Sequence, residues 1–370
     1  MIECKKNSVK GIKMQKPKLL SVLTILFYLL AAFNLSGAHA APDSFKLCPA
    51  NSEALMYFDI KTFRAFAEKN NIASQFKDQI EKIKNLASID ILKDINSFTA
   101  VLTNIANYKA GKNPEGAFIF EGYFKISEIE SKMTAGGLKS ETLENIKMFK
   151  LDEDVYLAMP SEKFLVYGNL SEIKSINSLI AAKEKNNVEN DEFFKREINA
   201  AEVNGKNFAL TVKLPAALSD LATSIAKINK EQAVFSGLEG FVAAASGSDL
   251  LFKYIYKTKD DAARGAVSAK EFMDNGFKQI SYNAKRMTEG VIDKAKVASE
   301  RFNFIKSGLV LMLKLQQTMK IEQKEKSVFI SFELAKAEKE TGDFVNSIFE
   351  AFIATLVKSD AKTPAPVTGN

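Results

Sequence analysis

The sequence predicts an α+β protein of two related halves, each a mostly antiparallel sheet with helices packed on one face, plus a long helical insertion in the second half. Three observations lead to that class. First, the stretch 48–63 is echoed at 206–221, each a strand that runs straight into a helix. Ala54, Met56, Phe58 and Ile60 alternate onto one face in the first copy, and Phe208, Leu210, Val212 and Leu214 do so in the second, with Asp59 and Lys213 as the outward polar residues. Second, further short alternating segments follow each copy, separated by turn residues. Third, helical composition from Asp260 to about Gln317 has no counterpart in the first half.

Taken in order, Pro42 and Pro49 keep the lead-in to the first strand irregular. A helical stretch over 61–86 follows that strand, with a slip in its apolar spacing at Asn70-Asn71. Residues 97–107 and 115–124 read as strands, with Phe118, Phe120 and Phe124 on one face of the second. Ser127 and Glu130 have capping-box spacing for a helix ended by Gly136-Gly137. Strands at 147–151, 155–159 and 163–168 form a meander, and a helix over 171–185, capped by Ser171, turns Ile173, Ile176, Leu179 and Ile180 inward. The first repeat thus covers 41–185, and the polar segment 186–205 reads as a linker.

The second repeat covers 206–360. Its strand 207–214 leads through Pro215 into a helix over 216–228, and strands 238–245 and 250–257 flank a tight Ser246-Gly247-Ser248-Asp249 turn. Phe252, Tyr254 and Tyr256 line one face there, in the manner of Phe118 and Phe120. The helical segment 260–317 is expected to divide near Gly276 or Gly290, and its interleaved charges read as a solvated face. A hairpin, 318–323 and 328–334, precedes a final helix over 341–357 and a tail, 361–370, that reads as disordered.

Residues 1–40 read as a secretory signal. Lys5, Lys6, Lys10, Lys13, Lys16 and Lys18 run into an apolar core over 19–35, and Ala38-His39-Ala40 offers a small-x-small cleavage site. Retention of that leader as an anchor is the competing reading. The whole chain has 51 basic and 45 acidic residues; beyond residue 40 there are 45 and 44, a net charge of +1, which gives no electrostatic case for nucleic acid as a partner.

The leader also holds the single histidine, His39, and one of two cysteines, Cys4. The remaining chain can run neither a Ser-His-Asp nor a Cys-His mechanism, and it cannot build imidazole-containing metal sites. Cys48, left alone, forms no internal disulfide and reads as a partly buried thiol. Ser-x-x-Lys spacing recurs at Ser74/Lys77, Ser171/Lys174 and Ser224/Lys227, no more often than a lysine-rich chain yields by chance and without companion motifs. The turn Asp152-Glu153-Asp154 lacks the alternate-residue spacing of a calcium loop, and no phosphate-binding glycine loop or Cys-x-x-Cys is present. Twenty-eight Phe and no Trp at strand and helix spacing read as core, or as the lining of an apolar cavity.

Leu47-Cys48-Pro49-Ala50, followed by Glu53-Ala54-Leu55-Met56-Tyr57-Phe58-Asp59, resembles the opening of a group of exported bacterial proteins of uncharacterised function. Their mature domain starts Leu-Pro-Ala, then an apolar strand ending in Asp or a similar residue, then a helix; here Cys48 is inserted. The resemblance implies export and supplies no catalytic or binding residue.

These features favour a non-catalytic, exported cell-envelope protein, periplasmic or extracellular, with a partner-binding or structural role and no cofactor or metal. A periplasmic carrier of a lipid or other apolar ligand is the alternative, and a histidine-independent hydrolase the third. The expected partner or membrane surface is the final helix, through Phe344, Ile348, Phe352 and Leu356, whose apolar stripe is two residues wide at every turn.

Overall fold

The computed structural model describes residues 43–69, 81, 84–85, 87–105, 115–143, 146–181, 186–201, 206–228, 234–246, 249–288 and 299–343. Strand β1 (Ala54–Asp59) passes without a break into α1 (Ile60–Lys69). Asp59 makes that switch: its carboxylate accepts from the Lys61 amide at 2.9 Å and from the Thr62 hydroxyl at 2.7 Å, capping the helix from a buried position rather than facing outward as the alternation implied. There follow α2 (Ile91–Asp94), β2 (Ile95–Thr103), β3 (Glu115–Gly122), α3 (Ile126–Ala135), β4 (Ser140–Leu143), β5 (Ile146–Asp152), β6 (Val155–Ser161), β7 (Phe164–Asn169) and α4 (Leu170–Ile180). After α5 (Glu192–Ile198), the second half contributes β8 (Phe208–Lys213), α6 (Ala216–Ile228), β9 (Leu238–Ser246), β10 (Asp249–Tyr256), α7 (Lys259–Thr288), α8 (Ser299–Gln316), β11 (Lys320–Lys324) and β12 (Ser327–Glu333).

The two half-sheets join edge to edge into one twelve-stranded antiparallel sheet, in the order β11-β12-β10-β9-β8-β1-β2-β3-β7-β6-β5-β4. The junction is β1 against β8, with Ala54 opposite Val212, Met56 opposite Leu210 and Phe58 opposite Phe208. Met56 and Leu210 are counterparts in the sequence repeat, so a pseudo-two-fold axis passes between them. Outward from it the halves match row by row. Met56 faces Ala100, which faces Phe118, while Leu210 faces Ala243, which faces Phe252. One step along, Phe98 faces Phe120 where Phe241 faces Tyr254. The likeness of the two aromatic strand faces is therefore a likeness of register.

Helices occupy both faces of the sheet, not the single face that alternation pointed to, because the central strands are apolar on both sides; every residue of β1 is buried. On one face Met56, Phe58, Ala100 and Ala243 meet Ile129 and Met133 of α3, Ala262, Ala269 and Phe277 of α7, and Leu311 and Leu315 of α8. On the other, Leu55, Tyr57, Val101 and Ile119 meet Ile173 and Ile176 of α4, Phe193, Phe194 and Ile198 of α5, and Phe45 in the 3-10 turn Asp43–Leu47. The segment read as a linker thus carries a buried helix. Asp191 starts it, accepting from the Phe193 and Phe194 amides at 3.0 and 3.1 Å.

Several local expectations shift. The capping box is not formed: α3 starts after Lys125, and Glu130 pairs with Lys147 instead of the helix end. Ser171 lies inside α4, whose first residue follows Asn169. Strand β4, Ser-Glu-Thr-Leu, sits at an exposed sheet edge and has no apolar alternation to announce it. The opposite edge, β11, is exposed and charged. Helix α7 runs through Gly276 for 30 residues, about 45 Å; Gly290 lies outside the described residues, as do residues 1–40, expected to be a leader, the slip at Asn70-Asn71 and the expected tail 361–370.

Candidate functional site

The buried ionisable groups serve the architecture. Glu197 of α5 is enclosed against the sheet, where its carboxylate accepts from the Lys253 ammonium at 2.8 Å and from the Arg196 guanidinium at 2.6 Å. Lys253 also lies 5.5 Å from the centre of the Phe329 ring. This anchors the segment between the repeats to β10. Under α4, burial raises the carboxyl of Glu172 from its ordinary value, partly offset by the Thr103 hydroxyl, which donates to it at 2.8 Å. Cys48 is fully enclosed; burial raises its thiol, which donates to the Ser44 carbonyl at 3.4 Å. A protonated, inaccessible thiol is a poor nucleophile.

The other polar candidates do not converge. The Ser171 hydroxyl contacts Glu115 and that of Ser224 donates to the Asp220 carbonyl. Ser74 and Lys77 lie outside the described residues. Asp152-Glu153-Asp154 forms the exposed β5–β6 turn, in which Asp152 accepts from the Glu153 amide. Among the described residues, no group of His, Cys, Asp and Glu could hold a metal ion, and no helix is long and apolar enough to cross a membrane. Phe344, Ile348, Phe352 and Leu356, the expected partner surface, lie outside the described residues.

Among the described residues, exposed apolar surface is concentrated on the pair α7–α8. Helix α7 turns Ala262, Ala266, Ala269, Met273, Phe277 and Ile280 toward the sheet, at intervals of three and four residues. The close approach of its first turns depends on Gly265: a Cβ there would lie 2.3 Å from the Tyr256 hydroxyl oxygen. On its outward half Val267, Phe272 and Tyr282 are exposed. Helix α8 is apolar over a little more than half of its circumference, with Ser299, Glu300, Asn303, Lys306, Ser307 and Lys314 on the remainder. Leu311 and Leu315 face the core, while Ile305, Leu309 and Met312 follow i, i+4, i+7 spacing on an outer face, with Ile305 and Met312 exposed, and Val310 is exposed too. These six exposed side chains range from 41% of full exposure at Met312 to 62% at Val267. The apolar arc of α8 is wider than the stripe that meets the core, and Ile305 and Met312 lie on the part left exposed. Tyr123, 77% exposed after β3, is the remaining large exposed apolar side chain among the described residues.

No protein-family model matches the chain, and no curated protein does. Three crystal forms of TP0453 resemble it among solved structures. Form I has a TM-score of 0.36 at 13% identity, covering 81% of this chain and 96% of that one. Form III has 0.40 at 13%, covering 81% and 98%, and form IV has 0.38 at 11%, covering 82% and 95%. Likeness this slight carries no argument, so the functional reading rests on the residues of this chain.

A second aromatic feature lies on the same sheet face. Phe118 sits 6.3 Å from Phe98, 6.3 Å from Phe120 and 6.1 Å from Tyr167, ring centre to ring centre, and Phe118, Phe120 and Tyr167 are half-buried. Strand periodicity points to this cluster. The α7–α8 surface is harder to find, because charged residues dominate the helical segment as a whole. The signal it does carry is the run Leu309-Val310-Leu311-Met312-Leu313, too apolar for a helix with one dry face.

Proposed function

We propose that this is a non-catalytic exported protein of the cell envelope, acting by binding, and that the binding surface is the outward side of α7–α8. The observation that carries the reading is the gathering of Val267, Phe272, Tyr282, Ile305, Val310 and Met312 on one helical pair, while both open sheet edges are polar. Absence of histidine after His39, and the enclosure of Glu197, Lys253 and Cys48 in structural contacts, support binding over catalysis. The leader at 1–40 supports export.

The test is fractionation of cells that export the full chain, comparing wild type with a Phe272→Ser/Tyr282→Ser/Ile305→Ser/Met312→Ser variant. The wild type is expected with the membranes and the variant in the soluble envelope fraction, with an unchanged circular dichroism spectrum. A variant that stays with the membranes, or a wild type that is freely soluble, contradicts the reading. Carriage of an apolar ligand is a second reading, favoured by the half-buried Phe118, Phe120 and Tyr167. It predicts that lipid co-purifies with the protein and is lost in Phe118→Ala/Phe120→Ala.

A further inference from the structure

Acidic and basic residues are not mixed evenly along the helical pair. Asp260, Asp261, Glu271 and Asp274 all precede Asn275 in α7, together with Lys259, Arg264 and Lys270; from Asn275 to Thr288 the charged residues are Lys278, Lys285 and Arg286 alone. In α8, Glu300 is the last acid, followed by Arg301, Lys306 and Lys314. Over 275–316 the sequence has eight basic and three acidic residues, a net charge of +5. The rest of the chain beyond residue 40 has 37 basic and 41 acidic residues, a net −4. The excess positive charge therefore sits on the stretch that carries exposed Tyr282, Ile305, Val310 and Met312, while Phe272 lies just ahead of it between exposed Glu271 and Asp274.

Local geometry adds to the charge. The Arg286 guanidinium lies 5.6 Å from the centre of the Tyr282 ring, one turn earlier on the same side of α7. Lys278 and Lys285 are exposed. Aromatic rings and aliphatic side chains bordered by long cationic side chains suit the boundary between headgroups and acyl chains, where the apolar groups enter and the cations meet phosphates. A protein partner would need an apolar, acidic surface of matching shape; a lipid surface needs only this composition.

We infer that the outward side of α7–α8 docks on an anionic phospholipid surface, lying in its plane, with Phe272, Tyr282, Ile305 and Met312 inserted and Lys278, Lys285, Arg286 and Lys306 at the headgroups. This deepens the binding reading above and rests on it.

The chain has no tryptophan, so one introduced residue reports on its own surroundings. The full chain carrying Phe272→Trp is mixed with vesicles of phosphatidylglycerol and phosphatidylcholine, or of phosphatidylcholine alone. The expected result is a blue shift on the anionic vesicles only, reversed by high salt. Binding should be about a hundredfold weaker when Lys278→Gln, Lys285→Gln and Arg286→Gln are added. Tyr123→Trp, with the same leader but away from the helical pair, should not shift. An equal shift on phosphatidylcholine alone overturns the anionic assignment. If the Phe272→Trp chain does not shift while the serine variant is still released from membranes in cells, the occupant is a protein and only the lipid inference falls; if the serine variant also stays membrane-bound, both fall.

Discussion

The Lys253 ammonium donates to the Glu197 carboxylate at 2.8 Å across the space between β10 and α5, and both residues are buried. The pair ties the segment between the repeats to the sheet of the second repeat. Lys253→Met leaves Glu197 with only the half-exposed Arg196, and the expected loss is about 3 kcal/mol in urea unfolding. Arg196→Ala, on the solvent side of the same carboxylate, should cost under about 1 kcal/mol. Equal effects would contradict the assignment of Lys253 as the structural partner.

Two glycines of α7 should respond to alanine with opposite signs. At Gly265 the new Cβ would meet the Tyr256 ring at 2.4 Å, and Tyr256 is fixed from below by donating to the Val234 carbonyl at 2.7 Å. Gly265→Ala is expected to destabilise by about 1–3 kcal/mol. At Gly276 nothing lies within 4 Å of the added carbon. Gly276→Ala should stabilise by about 0.5–1 kcal/mol through helix propensity alone. Thermal unfolding of the two variants reads both signs.

Cys48 should be inert in the native protein. With its thiol enclosed and its ionisation pushed up by burial, labelling by a thiol-specific reagent at neutral pH should follow unfolding and appear at once in urea. Rapid native labelling of Cys48, mapped by peptide mass, would place the 3-10 turn before it off the sheet.

Glu172 sets a pH dependence. Because burial raises its folded-state pKa above the ordinary 4.5, the folded protein holds a proton that the unfolded chain has released. The stabilising contribution is complete below the ordinary carboxylate value and is lost as pH rises through the folded value. Relative to Glu172→Gln, the wild type should therefore lose ground in urea midpoint between pH 4 and pH 8. Parallel pH profiles for the two proteins would refute the assignment.

The duplicated scaffold is legible because its strands alternate and its hairpin turns carry the expected residues; the helix expected over 216–228 forms over those same residues. What stays hidden has physical causes. Ser140 to Leu143 pairs on one side and faces solvent, so no apolar pattern marks it as a strand. Phe193 and Phe194 lie in a charged run, and only their packing in the core under the sheet shows what they do. Asp59 looks outward by period two, yet the chain turns into a helix at the next residue and the carboxylate caps it. For the binding surface, whole-segment charge conceals the drop in acidic residues after Asp274, part-way along α7. Phe344 and its neighbours remain expectations from the sequence, outside the described residues.

The most direct test of the binding surface is cysteine accessibility in cells. In a chain carrying Cys4→Ser, with Cys48 enclosed, Phe272→Cys and Tyr123→Cys are each labelled with a membrane-impermeant maleimide after the outer layers of the envelope are opened. The account predicts that position 272 is protected in cells and reactive in the purified protein, while position 123 is reactive in both. Equal labelling of position 272 in cells and in solution would contradict it.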